Sequence, residues 1–408
     1  MIEGSKRYAL YKSRVNAALD GLVRDVETWQ MSLPEDTAIR HHVVQFGKLC
    51  TRAYDCLMRA FQSSVWGSAD ERTTFSSLVV GVLTSQWMQL RQVAHQRIPG
   101  SPYQQKLEKH DQEAATYYHR MRLALPEGAR KQLSLSPPLI YLGRLAQLTL
   151  FSRKAPTVLT VPFGAPYSEQ TALAIPHEVG HAALEQVPGL FVELKRRVQS
   201  ALVSTQPDQQ QKALHDMILG WLDEMVADST GAMLGGPAFG KSALWIMVCP
   251  DETVGITDAE HPVALIRPYI HLETLKFLWG SDHPDVKALE DEIDEVVKDY
   301  LDRRLESGPI LTVVSLRTVR DEMVKVFRYV LDSKLDVLEG KSLGDVLRDC
   351  ATAGPVDADV DLPAWGEISD EECRQLVLEL PDSLRLDYAT PEPPRLKVCC
   401  ALRLWFCC

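Results

Sequence analysis

Two histidines four residues apart, with a glutamate directly after the first, stand in the stretch IPHEVGHAALEQ as His177, Glu178 and His181. On a helix, residues four apart lie one above the other, so both imidazoles can face one metal ion such as Zn²⁺. Glu178 is then turned by about 100° around the axis and lies beside the ion. From there its carboxylate can take a proton from a metal-bound water and hand it to a leaving amine, which is the proton traffic of peptide hydrolysis. Pro176 either opens this helix or kinks it. Gly180 weakens the helix, which suggests that a close neighbour needs the space. The motif is moderately specific, because 11 histidines in 408 residues can meet this spacing by accident.

A catalytic zinc takes a third protein ligand. A metzincin would continue with Gly at 184 and His at 187, but those positions hold Leu184 and Val187. A glutamate from a second helix is the other common solution. In KALHDMILGWLDEMVAD, the residues Leu214, Met217, Ile218, Trp221, Leu222 and Met225 form one apolar stripe at helical spacing. On that wheel Asp216 and Asp223 point to water, Asp228 falls inside the stripe and Glu224 on its edge. His215, nearly opposite Glu224, reads as a surface residue. A carboxylate in an apolar stripe is costly unless it is paired or metal-bound. The i, i+4 spacing of Glu224 and Asp228 places one of them on the ion and the other against a ligand histidine, whose tautomer it fixes. The competing reading pairs Asp228 with an arginine or uses it as a cap.

The same region offers a second chemistry. Gly235, Gly240, Lys241 and Ser242 satisfy the phosphate-loop pattern GxxxxGK[ST]. That loop needs a strand running into it and a helix whose N-terminal amides face the phosphates. Here the helical pattern around Glu224 runs up to the glycines, and ALWIMVC after them stops at Pro250. GGPAFG therefore reads as a turn between helices and Lys241 as a solvated charge.

These residues need a scaffold, and its pattern is mainly helical. Residues 1–150 read as an N-terminal helical domain, with apolar positions recurring every three to four residues. APTVLTVPF, residues 155–163, is the first clear strand. Residues 151–285 hold every chemical motif and read as the catalytic core. Helices follow over 286–350, and a loosely organised tail rich in Pro and Asp covers 351–408. The expected fold class is mainly α with a small β-sheet (α+β).

Composition narrows the partners. A net charge of −11 and a pI near 5.5 disfavour nucleic acid, which needs a basic face. No run of 18 apolar residues predicts a transmembrane segment, MIEGSKRYALYKSRV lacks the apolar centre of a signal peptide, and Asn16 starts no glycosylation sequon. Nine cysteines are scattered or crowded at the end, as Cys399, Cys400, Cys407 and Cys408. None shows CxxC spacing, and they read as reduced thiols. LRLWFCC is apolar enough for a weak membrane contact of the tail. A soluble, cytoplasmic protein is expected.

HEVGH followed by EMVAD resembles the gluzincin clan of zinc metallopeptidases, whose pattern is HExxH with a downstream ExxxD. EHPVALIRPYI resembles the His-Pro-x4-Arg element of the CaaX-prenyl-protease and heat-shock-protease branch, here His261, Pro262 and Arg267. The resemblance implies a zincin-like core with flanking helical regions and a peptide or protein substrate. It implies Zn²⁺ on His177, His181 and Glu224, with Glu178 as general base and Asp228 behind the ligands. His261 or Arg267 would help hold the scissile carbonyl or the frame of the site, and the 155–163 strand would be the edge on which an extended peptide lies. Members of that branch are embedded in membranes, which this sequence does not predict for itself. A second His-Pro, His283-Pro284, also precedes a helical pattern, so helix initiation competes with catalysis for His261. Two other functions compete with the peptidase: a helical binding or regulatory protein with an inactive or structural metal site, and a nucleotide binder through Gly235–Ser242.

Overall fold

The structure is a computed structural model that describes residues 2–35, 37–62, 69–98, 100–133, 137–143, 147–149, 158–162, 174–203, 205, 207–247, 261–304 and 314–353. Three long helices open the chain: α1 (Ile2–Ser32), α2 (Ala38–Gln62) and α3 (Ala69–His95). Their apolar positions close on a common core, where Leu19, Val43, Leu57 and Leu90 are buried and Phe46 stacks on Trp87. Packing of such faces, more than intrinsic propensity, is what holds helices in place.

A short sheet follows. β1 (Leu139–Gly143), β2 (Gln147–Thr149) and β3 (Val158–Pro162) lie in the order β1-β3-β2, with β1 parallel and β2 antiparallel to β3. Two expectations change here. Residues 1–150 are not helical throughout, because LIYLG and QLT are strands; short apolar runs do not declare their type by periodicity. The 155–163 strand is the central strand of the sheet and offers no free edge. β1 is closed on its outer side by side chains instead of a strand. Gln96 donates to Leu142 O and accepts from Leu142 N. Asp111 accepts from Ile140 N at 2.8 Å while Arg97 donates to Ile140 O and pairs with Asp111. Side chains thus stand in for a ladder that would otherwise be open to aggregation.

Alternation gives this sheet two buried faces. Leu139 and Val158, paired in register, pack into the core of α1–α3. Ile140, Leu142, Leu159 and Val161 point the other way into a second core. That core gathers α4 (Gln104–Ala124), α5 (Glu127–Arg130), α6 (Ala174–Leu184), α7 (Leu190–Val203), α8 (Gln209–Gly220) and α9 (Leu222–Met247). It continues through α10 (Pro268–Trp279), α11 (Pro284–Val297), α12 (Leu316–Asp332) and α13 (Leu343–Thr352). Leu289, Phe327 and Leu347 share the core of Val179 and Met225, while α1–α3 pack around the first core.

Among the described residues no helix is long and apolar enough to cross a membrane. Cys50, Cys56 and Cys350 are buried, and burial pushes the Cys50 and Cys350 thiols up to about 12. The four cysteines of the 399–408 segment, with the rest of the tail from 354, lie outside the described residues.

Candidate metal centre

Three helices meet at the site, and each contributes a pair of side chains one turn apart. α6 brings His177 and His181, α9 brings Glu224 and Asp228, and α10 with its N-cap brings Arg267 and His271. The backbones of α6 and α9 approach closely at Gly180, where a Cβ would stand 2.9 Å from Thr230 Cβ and 3.1 Å from Ala227 Cα. Gly180 is thus the space that lets the histidine pair reach the carboxylate pair. Pro176 stands in the first turn of α6, where a missing N–H removes no helical bond.

The helix read from sequence across 212–228 is two helices. Trp221, fully buried, separates α8 from α9 with a backbone at φ −94° and ψ 7°. Glu224 consequently lies in the first turn of α9, where a negative charge is favoured by the helix dipole.

One nitrogen of each α6 histidine and one carboxylate oxygen of Glu224 all lie within 4.8 Å of one another. His181 Nε2 is 3.4 Å from Glu224 Oε1, and His177 Nε2 is 3.6 Å from Glu224 Oε2. Two ligands each about 2.1 Å from a tetrahedral ion stand about 3.4 Å apart, so these separations fit an ion between them. Two imidazoles and a carboxylate suit Zn²⁺ and other divalent transition ions alike.

The ring nitrogens turned away from this centre each lie near a carboxylate. His177 Nδ1 is 3.0 Å from Asp228 Oδ1, and His181 Nδ1 is 3.3 Å from Glu185 Oε1. Carboxylates in that position fix the tautomer and orientation of a ligand imidazole. Asp228 in turn accepts from Arg267 Nε and an Arg267 terminal nitrogen, both at 2.8 Å, and the same nitrogen donates to Glu224 Oε2 at 3.0 Å. Both sequence readings of Asp228, against a histidine and paired with an arginine, are therefore present together. Arg267 has its guanidinium committed to this frame. His261 Nε2 lies 3.8 Å from Glu224 Oε1. His261-Pro262 does not start a helix: a single 3-10 turn begins at Ala264 and α10 only at Pro268. His283-Pro284 does start one, since His283 caps α11 and accepts from Asp285 N.

The site is shielded from bulk water, with His177, His181 and Glu224 at 9, 8 and 5% exposure. Burial raises the Glu178 carboxyl above its ordinary range, and the His177 and His181 rings work against that rise. Burial also opposes ionisation of Glu224 and Asp228, but the Arg267 guanidinium prevails and holds both well below the usual carboxylate range. Burial likewise disfavours a charged His181, yet Glu185 and Glu224 raise it well above an ordinary histidine.

Several neighbouring residues fall elsewhere than expected. His215 is buried and bonded through Nε2 to Glu322 at 2.8 Å, so it is neither a surface residue nor a ligand. Asp216 is exposed, while Asp223 is half-buried and accepts from Glu224 N. Gly235–Ser242 is a kink inside α9: Gly236 takes φ 61° and ψ −155°, and Pro237 follows it. Helix lies on both sides and no strand enters, so the arrangement a phosphate loop requires is missing. Lys241 is not simply solvated, for its Nζ is 3.4 Å from Glu292. Two site residues escaped the sequence reading, Glu185 and His271. Both stand one turn beyond a recognised member, and that spacing was the available signal.

No family model, curated protein or solved structure matches the chain.

Proposed function

We propose that the chain is a zinc-dependent endopeptidase of the gluzincin kind, acting on peptide or protein substrates. The observation that carries this reading is the convergence of the His177/His181 pair on Glu224, with Asp228 behind His177. His177, His181 and Glu224 would hold the ion. A bound Zn²⁺ would polarise an amide carbonyl and acidify the water beside it. Glu178, buried between the two ligands in sequence, takes the proton from the attacking water and delivers it to the leaving nitrogen. His261, whose Nε2 is 3.8 Å from Glu224 Oε1, would donate to the developing oxyanion. Arg267 acts on the frame, holding Asp228 and Glu224 ionised and oriented. With β3 central and the outer edge of β1 filled, an extended peptide would pair along the outer side of β2, which packs against α6.

A helical binding or regulatory protein with a structural metal site would use the same ligands but give Glu178 no work. One pair of measurements separates them. Elemental analysis should find about one zinc per chain, lost in Glu224→Ala and kept in Glu178→Gln. Cleavage of an unfolded protein substrate should fall about 100-fold or more in Glu178→Gln. Cleavage at the wild-type rate by that variant rejects the mechanism, and metal without any cleavage in the wild type favours the binding protein.

A further inference from the structure

His271 has no task in the mechanism above, yet it is the most deeply placed ionisable ring in the site, with no exposed surface at all. It lies on α10 one turn after Arg267 and faces the α9 pair. Its Nε2 is 3.4 Å from Asp228 Oδ1, the same oxygen that receives His177 Nδ1. Its other neighbour is apolar: the Phe239 ring meets it edge-on at 4.8 Å between centroids. Gly240 lets the backbone after the α9 kink come close, its Cβ position being 3.7 Å from His271 Cβ. Neither ring nitrogen makes a hydrogen bond of good geometry among the described residues, so the 3.4 Å approach of Nε2 to Asp228 Oδ1 is a polar contact at the outer limit of such a bond. An imidazole in such a pocket loses its hydration without full compensation, where a leucine or methionine would lose none. Among the described residues, Asp228 is the carboxylate its Nε2 approaches.

We propose that His271 is a positioning residue of the metal centre: as the Nε2-protonated tautomer it donates to Asp228 Oδ1 and, with Arg267, holds that carboxylate against His177. Arg267 grips Asp228 through two bonds, and His271 adds a further contact at Oδ1, which restrains the carboxylate against the ligand ring. The α9 pair Glu224/Asp228 is thus matched by an α10 pair Arg267/His271, turn for turn. This inference rests on His177 being a metal ligand.

The test uses the full chain as wild type, His271→Gln, His271→Met and Asp228→Asn. Glutamine and methionine have similar length, and only glutamine carries an N–H donor. Two readouts are taken: zinc affinity by chelator competition, and the visible absorption of the Co²⁺-substituted protein. Loss of a carboxylate or its support behind a ligand imidazole costs about 10–100-fold in metal affinity. His271→Met should fall in that range and shift the cobalt bands in the direction of Asp228→Asn, while His271→Gln stays within about threefold of wild type. Equal effects of Gln and Met, or none in Met while Asp228→Asn is affected, overturn the proposal. A wild type that binds neither zinc nor cobalt instead overturns the metal-centre reading on which it stands. The wild type supplies a check that needs no variant to fold: the ring ¹⁵N shifts of His271 should report protonation at Nε2. Protonation at Nδ1 overturns the proposal.

Discussion

At the scale of single residues, charge compensation decides what the site tolerates. Glu224 and Asp228 are buried carboxylates one helical turn apart, and one guanidinium bonds to both. Removing one partner of such a buried set leaves an uncompensated charge and costs about 3–5 kcal/mol. Arg267→Met should therefore lower unfolding stability by that order in urea titrations of the metal-free protein, and a loss below about 1 kcal/mol would show that the ion set is not interdependent. Asp228→Asn keeps the shape but withdraws the acceptor from His177 Nδ1. Zinc affinity should fall about 10–100-fold with the fold intact, read by chelator competition beside circular dichroism. His177, Glu178 and His181 were legible because their whole relation is local, within five residues of one helix. Glu224 and Asp228 were legible as carboxylates that an apolar stripe could not keep for nothing. Nothing local distinguishes His271 from an ordinary core residue; its meaning comes from Asp228, far away in the sequence.

At the scale of elements, the site depends on how near α6 comes to α9. Gly180 is the contact, and its neighbours are a backbone carbon and a β-branched side chain that cannot retreat. Gly180→Ala gains helix propensity, but its methyl group must force the helices apart, an overpacking cost of about 1–3 kcal/mol. The net expectation is a less stable protein that also binds zinc more weakly, since His177 and His181 move with α6. A variant more stable than wild type with unchanged zinc affinity would show that the helices have slack. The space itself was foreseeable from a glycine inside a strong helical motif, although its occupants, Ala227 and Thr230, were not. Sheet order was beyond reach for a related reason. TVLTV announces a strand, but which edges it keeps depends on LIYLG and QLT, whose pairing is non-local. The break at Trp221 was hidden because the apolar stripe runs straight through it, and periodicity reports a face without reporting continuity.

At the scale of the whole molecule, the sheet is the plate between two cores, and a histidine ties the α1–α3 side to it. His42 on α2 is buried with Nδ1 2.8 Å from Ala38 O and Nε2 2.7 Å from Pro137 O, just ahead of β1. A neutral imidazole has a single N–H for these two carbonyls, so protonation would complete the geometry. Burial works the other way and prevails, lowering the ring from 6.5 to about 4. The sign of the pH dependence follows. Between 6.5 and about 4 the unfolded chain binds a proton at this position that the folded chain refuses, so stability from this group is whole above 6.5 and declines as the pH falls. The slope is at most about 1.4 kcal/mol per pH unit. His42→Gln keeps a donor for one carbonyl and cannot titrate. Urea midpoints of the metal-free wild type and this variant, compared from pH 7 to pH 4.5, should diverge above and converge below, with the wild type losing the larger share. Parallel lines would mean that His42 holds the same proton folded and unfolded, and that the contact between the helical layer and β1 is indifferent to acid.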